Sequence, residues 1–122
     1  MDKKKILIVD DEVQLVEMVK MRLEANNYDV ITAHDGDEAI EKARLSPDLI
    51  LLDVMMPKSD GFEVAKKLKA NSKTQPIPII MFTARSESEA TKKALDAGAY
   101  DYIVKPFNPV VLLNKVKDAL KK

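Results

Sequence analysis

Four of the apolar runs in this sequence end on residues able to do chemistry. Ile6-Leu7-Ile8-Val9 is closed by Asp10-Asp11, Leu49-Ile50-Leu51-Leu52 by Asp53, Ile77 to Phe82 by Thr83, and Tyr100 to Val104 by Lys105. Carboxylates brought close together repel, and some are pushed toward protonation unless a cation intervenes. A hard, oxygen-seeking cation resolves that conflict: Mg²⁺ typically takes one or two carboxylates and completes its octahedron with waters and phosphate oxygens. Lys105 adds a positive point charge and Thr83 a hydroxyl donor, both suited to a phosphoryl oxygen. A carboxylate nucleophile, a metal, a cation and a hydroxyl around one position point to phosphoryl transfer onto a side chain.

That chemistry requires the run ends to meet, which depends on the elements between them. Ile6 to Val9 is short and rich in β-branched residues, as a strand should be. From Glu12 the period changes: Val13, Val16, Val19 and Leu23 recur at helical spacing until Asn26-Asn27. Tyr28 to Ala33 reads as a second strand. Asp37 to Leu45 reads as a weaker helix with the stripe Ala39, Ile40, Ala43, stopped by Pro47. Leu49 to Leu52 and Ile77 to Phe82 are continuous apolar runs, which suit strands buried on both faces. Between them Pro57 and Gly61 bracket a loop, and Phe62 to Ala70 forms a third helix. A helix from about Glu87 to Asp96 stops at Gly98, placed as a C′ glycine. The strand Tyr100 to Val104 and a last helix with Leu112, Val116 and Ala119 on one stripe complete the chain.

Five βα units in succession predict an α/β fold, a doubly wound five-stranded parallel sheet with helices on both faces. All carboxyl ends of such a sheet lie on one edge, where ligands bind at the point of strand-order reversal. In the flavodoxin-like (βα)5 order 2-1-3-4-5, strands one and three are neighbours about 4.8 Å apart. Asp10-Asp11 then faces Asp53.

The composition narrows the alternatives. Basic and acidic residues balance at 20 each, so no net field draws the chain to nucleic acid or an anionic membrane. The absence of cysteine excludes disulfides, thiolate zinc sites and thiol catalysis. The apolar run after Met1-Asp2-Lys3-Lys4-Lys5 is too short for a signal peptide core or a membrane span. A cytoplasmic chain of one domain over residues 1–122, with no linker and no effector domain, is expected. Gly36, Gly61 and Gly98 are the only glycines, and they form neither a dinucleotide fingerprint nor a P-loop.

Four segments together, Ile-Leu-Ile-Val-Asp10-Asp11-Glu12, Leu-Ile-Leu-Leu-Asp53-Val-Met-Met-Pro57, Phe-Thr83-Ala84 and Tyr102-Ile-Val-Lys105-Pro106-Phe107, resemble response-regulator receiver domains of two-component signalling. The resemblance runs over essentially the whole chain. It implies that Asp53 is the phosphoacceptor and Asp11 a direct ligand of Mg²⁺, for which Mn²⁺ can substitute. Asp10 would act on the metal through water, and the Met55 backbone carbonyl would be the third protein ligand. Lys105 would pair with the acceptor and then with its phosphoryl group. Thr83 and Tyr102 would form the coupled switch pair, and Lys105-Pro106 would be a cis peptide. The implied donor is a histidine kinase or phosphotransfer protein. The implied listener is a protein target or effector domain on the face made by helix 4, strand 5 and helix 5, with no direct contact to nucleic acid or membrane. The chain would be a monomer or a phosphorylation-dependent dimer. Asp101 and Lys115 would pair across such a dimer, although Tyr100 stands where dimeric members usually carry an acid.

Met55 and Arg85 flank the route by which water would attack an acyl phosphate, so both are expected to tune its lifetime. Met55-Met56 is otherwise expected to pack at the loop base. His34 reads as a solvated loop residue, and the lysines at both ends as solvating charge. An aspartyl phosphohydrolase of the haloacid-dehalogenase type would need an acid two residues after the nucleophile, where Met55 stands, and a cap insertion that is missing. A signalling switch that catalyses only its own phosphorylation and dephosphorylation is therefore expected over a turnover enzyme. A pseudo-receiver that has lost phosphorylation would lack one of these residues, and none is missing.

Overall fold

In the computed structural model, which describes residues 3–56, 58–84 and 88–121, the βα alternation is realised in full. In chain order the elements are β1 (Lys5–Val9), α1 (Val13–Ala25), β2 (Asp29–Ala33), α2 (Gly36–Ala43) and β3 (Leu49–Asp53). They continue with β4 (Met55–Met56), β5 (Ser59–Asp60), α3 (Gly61–Ala70), β6 (Ile79–Thr83), α4 (Ser88–Asp96), β7 (Asp101–Val104) and α5 (Pro109–Leu120). The main sheet is parallel throughout, in the order β2-β1-β3-β6-β7. Counting only its own strands, this is the expected 2-1-3-4-5. β4 and β5 form a separate two-residue antiparallel ladder that carries too little alternation to be read from sequence.

Period-two alternation sends the strand side chains into two cores. On one face Leu7, Val9, Ile50, Leu52, Ile79 and Met81 pack with Ala39, Val64, Ala65, Leu68 and Ala94 from α2, α3 and α4. On the other, Ile6, Ile8, Leu49, Leu51, Ile80 and Phe82 pack with Val16, Val19 and Leu23 of α1 and Leu112 and Val116 of α5. The central strands β3 and β6 are buried at every position. This explains their unbroken apolar runs, each large side chain contributing about 1.5–3 kcal/mol by leaving water.

Several details differ from expectation, most boundaries by only one residue. Val13 is 61% exposed: α1 starts at the carboxyl edge of the sheet, so its first turn projects past the strands and only Val16, Val19 and Leu23 find the core. α2 ends at Ala43, because Arg44, Leu45 and Ser46 turn back in successive i→i−3 hydrogen bonds to Glu41, Lys42 and Ala43. The strand expected from Ile77 begins at Ile79, after Ile77 N–H has donated to Thr74 O in the preceding turn. Gly98 has φ +95°, the left-handed conformation expected of a C′ glycine. Pro57, Arg85, Glu87 and Lys122 lie outside the described residues. Among the described residues no helix is long and apolar enough to cross a membrane.

Candidate functional site

The parallel pairing of β1 with β3 sets Val9 beside Leu52, so the residues that follow them meet at the carboxyl edge. Asp10 is fully buried, Asp53 nearly so, and Asp11 is exposed. One carboxylate oxygen from each lies within 4.8 Å of the others. Behind them the chain returns on Gly61, whose N–H donates to Val54 O at 2.9 Å. A Cβ at Gly61 would collide with the backbone of Asp53 and Val54. Glycine is required by that close approach.

Lys105 enters from the end of β7. Its backbone N–H donates to Thr83 O at 2.7 Å, and Lys105-Pro106 is cis, as expected. Its Nζ lies 3.0 Å from Asp10 Oδ2, 3.3 Å from Asp53 Oδ1 and 3.7 Å from Glu12 Oε1. The Phe82 ring, stacked on Phe107 at 5.3 Å, lies 5.8 Å from the same ammonium. Burial, and then the charge of Asp10, push the Asp53 carboxyl up to about 6, against the pull of Lys105. Burial opposes the charge on Lys105, but the hydrogen bond and charge of Asp10, with those of Asp53, outweigh it, and its net shift is upward. The ammonium therefore stays protonated, and the carboxylates gathered around it outnumber it.

Excess negative charge on oxygen donors suits a divalent metal. An octahedral Mg²⁺ at about 2.0–2.1 Å from its oxygens spans at most ~4.2 Å between them. A spread of 4.8 Å fits one or two direct carboxylates, with the rest acting through water. Asp10, Asp11 and Asp53 fit the cation on that ground.

Of the other expected residues, Thr83 is buried at the end of β6, whose Phe82 pairs with Asp53. Tyr102 is half-buried on β7 opposite Met81, its ring 5.6 Å from Lys115 Nζ. The Met55 backbone N–H acts against the upward shift of the Asp53 carboxyl. Its side chain is 75% exposed while Met56 is 8% exposed, so only Met56 packs at the loop base. Adjacent residues of the β4 ladder point to opposite sides. Arg85 lies outside the described residues. Asp101 and Lys115 pair at 3.0 Å within one chain, and Tyr100 OH donates to Asp118 Oδ2 at 2.6 Å. His34 sits apart, exposed, 3.4 Å from Glu38. Glu12 reaches Lys105 without having been assigned a role from sequence; its position directly after Asp10-Asp11 was the available signal.

A family profile described as response regulator receiver domain matches residues 6–117. The chain is 48% identical over 120 residues to the alkaline phosphatase synthesis transcriptional regulatory protein PhoP of Bacillus subtilis, covering 98% of this chain and 49% of that protein. It is 42% identical over 120 residues to the phosphate regulon transcriptional regulatory protein PhoB of Escherichia coli, covering 98% of this chain and 52% of that protein. The chain thus spans about half the length of these curated relatives. Among solved structures, the chemotaxis response regulator CheY4 of Vibrio cholerae superposes with a TM-score of 0.92 at 38% identity, covering 98% of this chain and all of that one.

Proposed function

The chain belongs to the response-regulator receiver family of two-component signalling, and from that premise we propose that Asp53 is its phosphoacceptor. One observation carries the proposal: a buried carboxylate, pushed up to about 6, lies within 4.8 Å of two further acids and 3.3 Å from an ammonium. An Asp53 oxygen attacks the phosphorus of the donor, an O–P bond forms, and the bond from phosphorus to the donor breaks, its electron pair leaving with the donor. Bound Mg²⁺, for which Mn²⁺ can substitute, would neutralise the charge of the carboxylates and the phosphoryl oxygens. Asp11, Asp53 and the Met55 carbonyl would hold it, with Asp10 acting through water.

Lys105 and Thr83 then take phosphoryl oxygens, and Tyr102 turns inward as Thr83 moves. Charge-assisted hydrogen bonds are worth roughly 1.5–3 kcal/mol each, while moving an equilibrium from about 1:99 to 99:1 needs about 5.5 kcal/mol. Lys105 already pairs with Asp53, so only part of its bond distinguishes the two states. The shift is partial, and a partner that prefers the phosphorylated form completes it. A histidine kinase or phosphotransfer protein supplies the phosphoryl group in the cytoplasm. A target protein or effector domain reads the α4–β7–α5 face, with the chain a monomer or a phosphorylation-dependent dimer. The exposed, apolar Met55 cannot orient water, which favours a long-lived phosphoryl group; Arg85 is the second residue assigned to that tuning.

Intact mass after incubation with Mg²⁺ and phosphoramidate tests the reading. A gain of one phosphoryl group that is lost in Asp53→Ala supports it. No gain, or a gain that survives Asp53→Ala, favours an interaction module without phosphorylation.

A further inference from the structure

Glu12 occupies the N-cap of α1 yet makes no side-chain hydrogen bond to that helix. Ser, Thr, Asp and Asn are the effective caps, so the helix it begins does not account for this side chain. Its backbone is fixed by a neighbour, Glu12 N–H donating to Asp10 Oδ1 at 3.0 Å. Its carboxylate, 66% exposed, reaches to 3.7 Å from the Lys105 ammonium. That ammonium also holds the other Asp10 oxygen at 3.0 Å. Both oxygens of Asp10 are therefore engaged, one of them by a positive charge that a divalent cation would repel. Of the three carboxylates around Lys105, only that of Glu12 stands outside the Asp10–Asp11–Asp53 group.

We infer that Glu12 is a positioning residue for Lys105, taking up its ammonium when a divalent cation and its bound water claim the oxygen of Asp10. The inference rests on the phosphoacceptor reading above and adds a part to it. Without Glu12, cation entry leaves Lys105 either beside the metal or in open solvent. With Glu12, the ammonium moves a short way toward solvent and stays beside Asp53. A simpler reading is that an exposed acid draws cations by its own charge. The two differ in whether the effect passes through Lys105.

Mg²⁺ titration followed by backbone amide chemical shifts, on the whole chain, separates them in a double-mutant cycle. Lys105→Met alone tightens Mg²⁺ binding, since a competing cation is gone. Glu12→Gln weakens it about two- to five-fold, the scale of an exposed ion pair, and Glu12→Asp recovers part of the loss. In the Lys105→Met background Glu12→Gln changes the affinity little. The same spectra report whether each variant is folded, and Lys105→Gln replaces Lys105→Met should the thioether disturb packing. An equal effect of Glu12→Gln in both backgrounds, or none in either, overturns the inference and leaves the phosphoacceptor reading standing. Wild-type protein that binds no Mg²⁺ overturns both.

Discussion

The two edges of the sheet hold similar polar residues and are built in opposite ways. At the amino edge the polar groups of Lys5, Thr74 and Lys69 each meet a complement. Lys5 N–H donates to Asp48 Oδ2 at 2.8 Å, and Thr74 Oγ1 donates to Leu68 O at 2.5 Å. Lys69 Nζ donates to the carbonyls of Gln75 and Ile77 at 2.9 and 2.7 Å. At the carboxyl edge Asp10 and Asp53 are buried side by side with one ammonium between them. Two part-buried lysines report the difference. Burial lowers Lys69, whose partners are neutral, whereas the Asp10 and Asp53 carboxylates carry Lys105 upward against the same burial. The amino edge is finished as it stands; the carboxyl edge keeps charge that a cation and a phosphoryl group can use.

The largest effect expected is steric. The carboxyl edge is electrostatically strained but its backbone is tightly set, because Gly61 lies against Asp53 and Val54. Gly61→Ala forces the backbone apart and costs about 3 kcal/mol, the upper range of overpacking, read as a lower urea midpoint. A loss under about 1 kcal/mol would mean that the edge is soft as well as charged.

Removing one polar group from each edge should move stability in opposite directions. Thr74→Val removes the shorter of two donors to the Leu68 carbonyl, leaving the Asn71 N–H at 3.4 Å, and destabilises by about 1–3 kcal/mol. Asp53→Asn removes a carboxylate whose ionisation the fold resists. Its folded value of about 6 lies above the ordinary 3.8, so the folded state holds the proton longer and wild-type stability falls as pH rises between them. At pH 7.5 without metal, Asp53→Asn should therefore be more stable than wild type by about 1–3 kcal/mol. The gain should shrink to nothing below about pH 4. Urea titrations at the two pH values decide it, and a loss of stability at pH 7.5 would break the contrast between the edges.

Which parts could be read from the sequence follows from how far each signal reaches. Asp10, Asp11, Asp53, Thr83 and Lys105 were placed together because a parallel sheet gathers every strand end on one edge, whatever the details of packing. The exposure of Val13 escaped, since helical period says which face is apolar but not where the sheet beneath it stops. Met55 and Met56 were given one environment because a two-residue strand shows no period. Glu12 escaped for a different reason. Its contact with Lys105 joins the first and last strand ends and depends on side-chain reach, which residue type alone does not set. Likewise, the pairing of Asp101 with Lys115 inside one chain needed the register of β7 against α5.

Glu38 offers the finest test, because it separates location from partners. It stands in the first turn of α2, near the same carboxyl edge as Asp53, yet its surroundings are complementary. Its Oε1 accepts the His34 N–H at 2.7 Å, and Lys42 Nζ lies 3.2 Å from Oε2. The His34 backbone bond, with Lys42, holds its carboxyl below the ordinary 4.5 against the effect of burial. The sign is therefore the reverse of Asp53: this carboxylate stabilises the fold above about pH 4.5 and stops doing so as pH falls through its lowered value. With the side chain 34% exposed, solvent screening reduces the effect, and Glu38→Gln should cost roughly 0.2–1 kcal/mol at pH 7. Urea midpoints of Glu38→Gln and Asp53→Asn, each against wild type from pH 3 to 8, should diverge as pH rises, one falling below wild type and the other climbing above it. Two carboxylates on one edge with opposite pH slopes would assign the strain to the partners of Asp53. Parallel slopes would assign it to the edge itself.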